Sequence, residues 1–397
     1  MFVFNHTVVG NKREDKICQD YSDIYVDNSF YIGAIADGHG SKTCIRSDIG
    51  AKLVVECAIE CFRQFATTFL AENITLNIPT TRHCRNIIQN LTNCIVASWY
   101  DAINRHYATD PIKGLPAECV PHLYGTTFMG ALVVGDYLIL LQQGDGRCVV
   151  FFENGDISQP IPWDRRCEYN STTSMCDADV TTSIRHAIIK REDVVACFLG
   201  CDGVEDAYID TYHDINNDTI KNHCIMGGVN VFYKHLLVKI FEEQTNFNNY
   251  FRHMLADFAI SGLFSKTGSG DDVSVVGFVE KGKVFNNIQS YKKDVELYEL
   301  EELFYWKNDD IRSKKRKLEV LEKRLETAKS DLNIVKLDVL KKRKSGLLKY
   351  RENFYIDVLQ ASKNKQQAQQ TFDNYKSQYF DLEQQCEKLQ QKIRNYE

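Results

Sequence analysis

The chain has 397 residues, 44% of them hydrophobic, and a formal net charge of −6. That length favours two or three structural units over one, and the apolar share is enough for a sizeable core. Charge is unevenly spread: from Lys283 onward 25 Lys and Arg face 19 Asp and Glu, whereas the preceding part has 23 against 35. An acidic body argues against a nucleic-acid-binding domain, and the basic part is too mixed in charge to argue strongly for one. The 14 cysteines include no Cys-x-x-Cys pair, so neither a zinc ribbon nor a thioredoxin-like site is expected. They read as reduced, buried thiols. Met1-Phe2-Val3-Phe4 gives way to polar residues, unlike a signal peptide, and the apolar runs are too short to span a bilayer. A cytoplasmic chain without membrane contact is the expectation.

In chain order, Phe2 to Val9 alternates loosely and predicts an edge strand. A polar loop follows, ending at Ile17-Cys18-Gln19-Asp20-Tyr21. Ile24 to Asp27 and Phe30 to Ala36 predict a hairpin around Asp27-Asn28-Ser29. Two apolar stripes at helical spacing come next, one from Ile49 to Phe65 and one from Ile87 to Tyr107, separated by Pro79. Thr126 to Val134, Tyr137 to Gln142 and Arg147 to Glu153 read as strands joined by Gly-Asp and Asn-Gly turns. Ile157 to Ile189 is less regular. Val194 to Gly200 and Val273 to Val279 are continuous apolar strands, with a largely helical stretch from Tyr208 to Gly262 between them. Strands beside helix pairs, without β-α-β alternation, favour an α+β fold of antiparallel sheets faced by helices.

Composition shifts after Gly282. Leu297, Leu300, Phe304, Ile311, Leu318, Leu321, Leu325, Ala328, Leu332, Val335 and Val339 keep three-four spacing, and a second run extends from Phe354 to Tyr396. Such heptads predict a coiled-coil tail over 283–397, with helices at about 290–344 and 347–397. Ser345-Gly346 marks either a hairpin turn or a skip in a dimeric rod. The hairpin is preferred, because glycine is costly inside a helix and the two runs are of similar length. The tail reads as an element for a protein partner or self-association; its basic runs, Arg312 to Lys317 and Lys341 to Lys344, suit the wet faces of paired helices.

The chemistry lies in acidic clusters at strand ends. Phe30 to Ala36 stops at Asp37-Gly38-His39-Gly40, which offers a carboxylate, an accessible backbone carbonyl and an imidazole together. Hard cations such as Mg²⁺ and Mn²⁺ take oxygen ligands, and glycine lets the main chain approach them. Gln19-Asp20, Gly144-Asp145-Gly146-Arg147, Asp202-Gly203-Val204-Glu205-Asp206 and Asp271-Asp272-Val273-Ser274 occupy comparable positions. These blocks, with Gly125-Thr126-Thr127, resemble in order and spacing the metal-dependent PP2C/PPM family of serine/threonine phosphatases, in the branch that begins with a Cys-Gln-Asp block, here Cys18-Gln19-Asp20. The resemblance covers roughly residues 1–282 and leaves the tail outside.

The resemblance implies an antiparallel β-sandwich flanked by helix pairs, with two Mn²⁺ or Mg²⁺ ions at one end. Asp37 would bridge the ions and the Gly38 carbonyl would ligate one of them. Asp202 and Asp271 would hold the other ion, Asp20 would bind metal waters, and Asp145 with Asp202 would support a third, weaker ion. The implied reaction is hydrolysis of phosphoserine or phosphothreonine in a protein substrate by a metal-bridged hydroxide, with His39 as general acid. Gln19 stands where the eukaryotic branch has Glu, and Gly146 where Ser is usual. The phosphate-binding Arg of that branch has no direct counterpart; Arg13 is the candidate, with Lys12 and Lys16 beside it. Asp206 and Asp272 are candidates for support around the metals, and His6 for orienting the first cluster. Tyr208 to Gly262 lies where the family keeps a variable flap. The alternative reading is a catalytically silent scaffold that works through its coiled coil.

Overall fold

Period-two alternation decides which layer each apolar strand residue joins. The computed structural model describes residues 1–11, 17–76, 82–167, 171–208, 218–243, 245–263, 268–344 and 351–396. The chain enters through β1 (Phe2–Val8), β2 (Asp20–Val26) and β3 (Phe30–Asp37). Helices α1 (Ser47–Ala71) and α2 (Arg82–Thr109) follow, then a 3-10 turn and the short α3 (Val120–Leu123). Next come β4 (Phe128–Val134), β5 (Tyr137–Gln143), β6 (Arg147–Phe152), β7 (Ile157–Ser158), α4 (Val180–Ser183) and β8 (Arg185–Lys190). β9 (Val194–Gly200), α5 (Asp202–Glu205), α6 (Asp218–Glu242), α7 (Phe247–Ser261) and β10 (Val273–Val279) complete the mixed region. Two long helices, α8 (Lys281–Lys344) and α9 (Arg351–Arg394), follow.

The strands form two antiparallel sheets, ordered β1-β10-β9-β6-β7 and β2-β3-β4-β5-β8. On β3, β4 and β5 one set of alternate residues, including Ile32, Leu132 and Ile139, packs under α1 and α2 with Val54, Phe62 and Trp99. The other set, including Ile35, Met129, Ala131 and Leu140, meets Val150, Leu199, Val276 and Phe278 of the facing sheet. The outer face of that second sheet lies under α6 and α7: Phe198 stacks on Tyr233 with centroids 4.5 Å apart, and Phe4 meets Phe251 edge-on at 4.9 Å. The fold is therefore the expected α+β class, an antiparallel sandwich with a helix pair on each face. The hairpin strands run further than predicted, β2 starting at Asp20 and β3 ending at Asp37, so carboxylates terminate both. β8 lay hidden in the irregular stretch because its side chains are only half buried at the sheet edge.

The chain divides into two compact units, Met1–Glu296 and Leu297–Glu397. The composition change at 282 comes earlier than this division, because the first turns of α8 bury Val284, Ile288 and Tyr291 within the first unit. Lys283 pairs with Glu153 at 2.9 Å, and Lys292 with Glu242 at 2.8 Å. Within the second unit, Lys307 Nζ donates to Gln385 Oε1 at 2.7 Å, and Lys314 Nζ lies 5.0 Å from the Tyr375 ring centroid. Low numbers on α8 meet high numbers on α9, so the helices run antiparallel. Leu325, Leu332, Cys386 and Leu389 are buried there, whereas Ile334, Leu337 and Leu359, off the heptad stripe, are exposed. The Ser345-Gly346 turn lies outside the described residues. Among the described residues, no helix is long and apolar enough to cross a membrane.

Candidate active site and metal centre

Both sheets deliver carboxylates to the same end of the sandwich. Asp20 opens β2 and Asp37 closes β3, and the two are register partners. Asp145 sits in the turn between β5 and β6, Asp202 opens α5 just after β9, and Asp271 precedes β10. Asp37, Gly38, His39, Asp145, Asp202 and Asp271 line one cavity of about 660 Å³. Asp20, the register partner of Asp37, is buried, only 6% exposed.

Hydrogen bonds fix the segments that carry Asp37, Gly38, His39 and Asp145. The Asp37 N–H donates to Thr127 Oγ1 at 3.0 Å, and its carbonyl accepts from Thr126 Oγ1 and from the Thr127 N–H, each at 2.8 Å. Thr126 and Thr127 therefore buttress the site. The Gly38 N–H donates to the Gln19 carbonyl at 3.1 Å; a Cβ there would lie 2.7 Å from that oxygen and 2.8 Å from the Ser47 carbonyl, so only glycine fits. The His39 N–H donates to the Gly125 carbonyl at 3.1 Å. Gln142 Nε2 donates to the carbonyls of Gly144 and Gly146, at 3.2 and 2.6 Å, and fixes the turn bearing Asp145. Gly146 is dictated by packing, since a Cβ would come within 2.8 Å of the Gly200 carbonyl oxygen.

Electrostatics set the site's chemistry. The Asp37 and Asp202 carboxyl groups hydrogen-bond to each other, and both pKa values are raised well above the ordinary carboxylate range. Burial is the largest cause for each; next comes the Asp20 charge for Asp37, and the Asp37 charge for Asp202. Asp20 is pushed up to about 8, by burial first and then by Asp202 and Asp272. Asp145 is also raised by burial, against a hydrogen bond from Thr172. Burial lowers the His39 pKa, with Asp177 opposing. Two carboxylates in hydrogen-bond contact share a proton; a divalent cation is the other way to offset their charge.

The donor set fits such a cation. It is built almost entirely from hard oxygens, and neither buried carboxylate oxygen of Asp20 has a hydrogen-bond partner of ordinary geometry. Among the described residues, no three His, Cys, Asp or Glu side chains yet close around one point as a finished metal site would. The Asp271 Oδ1 accepts the Asp272 N–H at 3.0 Å.

The other candidates divide clearly. Asp272 is a structural clamp: its carboxylate accepts the N–H groups of Gly10 at 2.8 Å and Gln19 at 2.6 Å, tying the β10 approach to the loops around β1 and β2. Asp206 is exposed. The His6 ring lies against Phe251, with centroids 6.3 Å apart, on the sheet face under α7 rather than at the first cluster. Gln19 spends its amide on Ser47 Oγ at 2.7 Å. Lys12, Arg13 and Lys16 lie outside the described residues, and among the described residues the cavity wall carries no Lys or Arg. Sequence reasoning missed the bidentate Arg147–Glu205 pair, with Nη2 to Oε1 at 2.7 Å, which ties the start of β6 to the helix that begins at Asp202. Trp163 stacks over the Arg147 guanidinium at 3.8 Å. Only the Gly146-Arg147 step after the turn hinted at it.

Sheet order, flanking helices and acidic end together define a PP2C-like sandwich. The family profile of protein phosphatase 2C matches residues 9–236, and the chain belongs to that family. Among solved structures, the serine/threonine phosphatase Stp1 from Staphylococcus aureus is similar at 18% identity over 70% of this chain and 94% of that one, with a TM-score of 0.43. The catalytic domain of the serine/threonine phosphatase PstP in complex with two manganese ions gives 16%, 70%, 96% and 0.37 for the same measures. A Caenorhabditis elegans sex determining protein gives 15%, 72%, 67% and 0.42. No curated protein matches the chain in sequence.

Proposed function

We propose that this chain is an active, Mn²⁺- or Mg²⁺-dependent phosphatase that hydrolyses phosphoserine and phosphothreonine in a protein substrate. The supporting observation is the convergence of Asp37, Asp145, Asp202 and Asp271 with His39 on one cavity, with the buried Asp20 the register partner of Asp37. In this reading Asp37, the Gly38 carbonyl, Asp202 and Asp271 hold two ions, Asp20 holds their water ligands, and Asp145 with Asp202 holds a third, weaker ion. The chemistry such ions supply when bound is neutralisation of the phosphate charge and a water of lowered pKa. The rigid strand ends orient the carboxylates that would hold the ions. His39, on the cavity wall, gives a proton to the departing serine or threonine oxygen. Arg13 is the proposed contact to the phosphate.

The helices from 297 to 397 are the proposed targeting or dimerisation element, paired as a coiled coil that engages a protein partner or a second copy. A cytoplasmic location belongs to the same reading; among the described residues 13 cysteines are present without a disulfide. The test is turnover of a phosphothreonine peptide by purified protein with Mn²⁺. Activity lost with EDTA and in Asp202→Asn supports the proposal. A folded, Mn²⁺-loaded protein that turns over no phosphopeptide sinks it and leaves a silent scaffold.

A further inference from the structure

The α1–α2 pair carries a second reactive feature, remote from the acidic cavity in sequence. Cys61 on α1 and Cys94 on α2 face each other with their sulfurs 3.0 Å apart. That is inside the ordinary contact distance of two sulfurs and about 1 Å longer than an S–S bond. The two thiols differ sharply in access: Cys61 is 5% exposed, whereas Cys94 lies open on the helix surface. Their surroundings divide the chemistry between them. Burial and the hydrogen bond with Cys94 push the Cys61 thiol up to about 12, so it stays protonated. Another close pair provides an internal contrast. Cys148 and Cys197 are 3.9 Å apart but sealed between the sheets, at 3% and 1% exposure.

We infer that Cys61 and Cys94 form an oxidisable dithiol, a modification site at which a peroxide links α1 to α2. The Cys94 thiolate attacks the O–O bond of the peroxide, giving a sulfenic acid and hydroxide; sulfur is oxidised and the peroxide oxygen is reduced. The Cys61 thiol then attacks the Cys94 sulfur. An S–S bond forms, the S–O bond breaks, and the oxygen leaves as water with the thiol proton. The bond ties α1 to α2 at Cys61, and α1 begins at Ser47, which abuts Gly38 at the cavity.

The test is peptide mapping of the full chain after mild hydrogen peroxide and alkylation of the remaining thiols, without reduction. The expected product is one Cys61–Cys94 crosslinked peptide pair, lighter by two hydrogens, with Cys148 and Cys197 recovered alkylated only after unfolding. Oxidation should raise the thermal midpoint by roughly 5 °C, reversibly with dithiothreitol. Cys94→Ser, at an exposed position, should abolish both the crosslink and the shift. In Cys61→Ser, Cys94 should instead be trapped by a sulfenic-acid probe. Recovery of Cys94 only as over-oxidised acid, or linked to a thiol other than Cys61, overturns the inference.

Discussion

Asp20 and Asp37 stand directly opposite each other across the β2–β3 pair, one opening its strand and the other closing its own. Cross-strand partners of like charge repel, and here Asp20 is also sealed from water. The pair is tolerable only with protons or cations to offset it. Asp20→Asn should therefore stabilise the metal-free protein by about 1–3 kcal/mol. The same variant should need more Mn²⁺ to reach half of the metal-induced rise in thermal midpoint. Unfolding scans with and without Mn²⁺ read both effects, and a variant less stable without metal would contradict this account.

Asp202 interacts with Asp37, and both line the cavity. Asp202→Asn should keep the fold and lower kcat/KM on a phosphothreonine peptide by about two orders of magnitude or more, the scale of losing one charge-stabilising group. Circular dichroism checks the fold, and steady-state kinetics checks the loss.

Gly38 is a steric requirement. Its missing Cβ would lie within 2.8 Å of backbone atoms of both Gln19 and Ser47. Gly38→Ala should destabilise by about 1–3 kcal/mol, because neither backbone can yield cheaply. Urea unfolding measures it; an unchanged midpoint would show that the approach relaxes.

Arg147 and Glu205 are nearly buried partners, at 10% and 15% side-chain exposure. Arg147→Met should cost about 3 kcal/mol by leaving Glu205 unpaired, and adding Glu205→Leu should recover most of that loss. Thermal unfolding of the two single variants and the double variant gives the coupling directly.

A pH effect is expected away from the acidic cavity. His235 on α6 shares a 2.7 Å hydrogen bond with the Tyr250 hydroxyl on α7, and its pKa is lowered to about 4 by burial and then by Lys239. A depressed pKa means that the unfolded chain takes up the proton first. The stability contribution is complete above pH ~6.5 and disappears as pH falls through about 4, amounting to about 2 kcal/mol once partial exposure is allowed for. His235→Gln should flatten the stability profile over that interval in urea titrations.

Asp37, Asp145, Asp202 and Asp271 stood out because each sits beside a glycine at the end of an apolar strand, whereas Asp20, with no glycine beside it, and the roles expected of all five came from the family resemblance. What holds them was not legible. Asp272 looks like its neighbour Asp271 in sequence and both line the cavity, yet only Asp272 clamps the backbone N–H groups of Gly10 and Gln19. Only register separates the two, and register depends on pairing between strands far apart in the chain. The Arg147–Glu205 pair spans 58 positions, and the only local hint of it was the Gly146-Arg147 step. Heptad spacing did anticipate which residues of α8 and α9 are shielded, since helical periodicity is a local property. The start of α8 was less readable, because Val284, Ile288 and Tyr291 pack on the first unit rather than on another helix.

Drawing the acids from both sheets has a consequence for biosynthesis. They are scattered from Asp20 to Asp271, so a ribosome must release more than two thirds of the 397 residues before the cavity can exist at all. Truncated products retain charged strand ends but no enclosure around them. Whatever chemistry the cavity performs is thereby reserved for chains that have closed the sandwich, and partial synthesis yields nothing that could act out of turn.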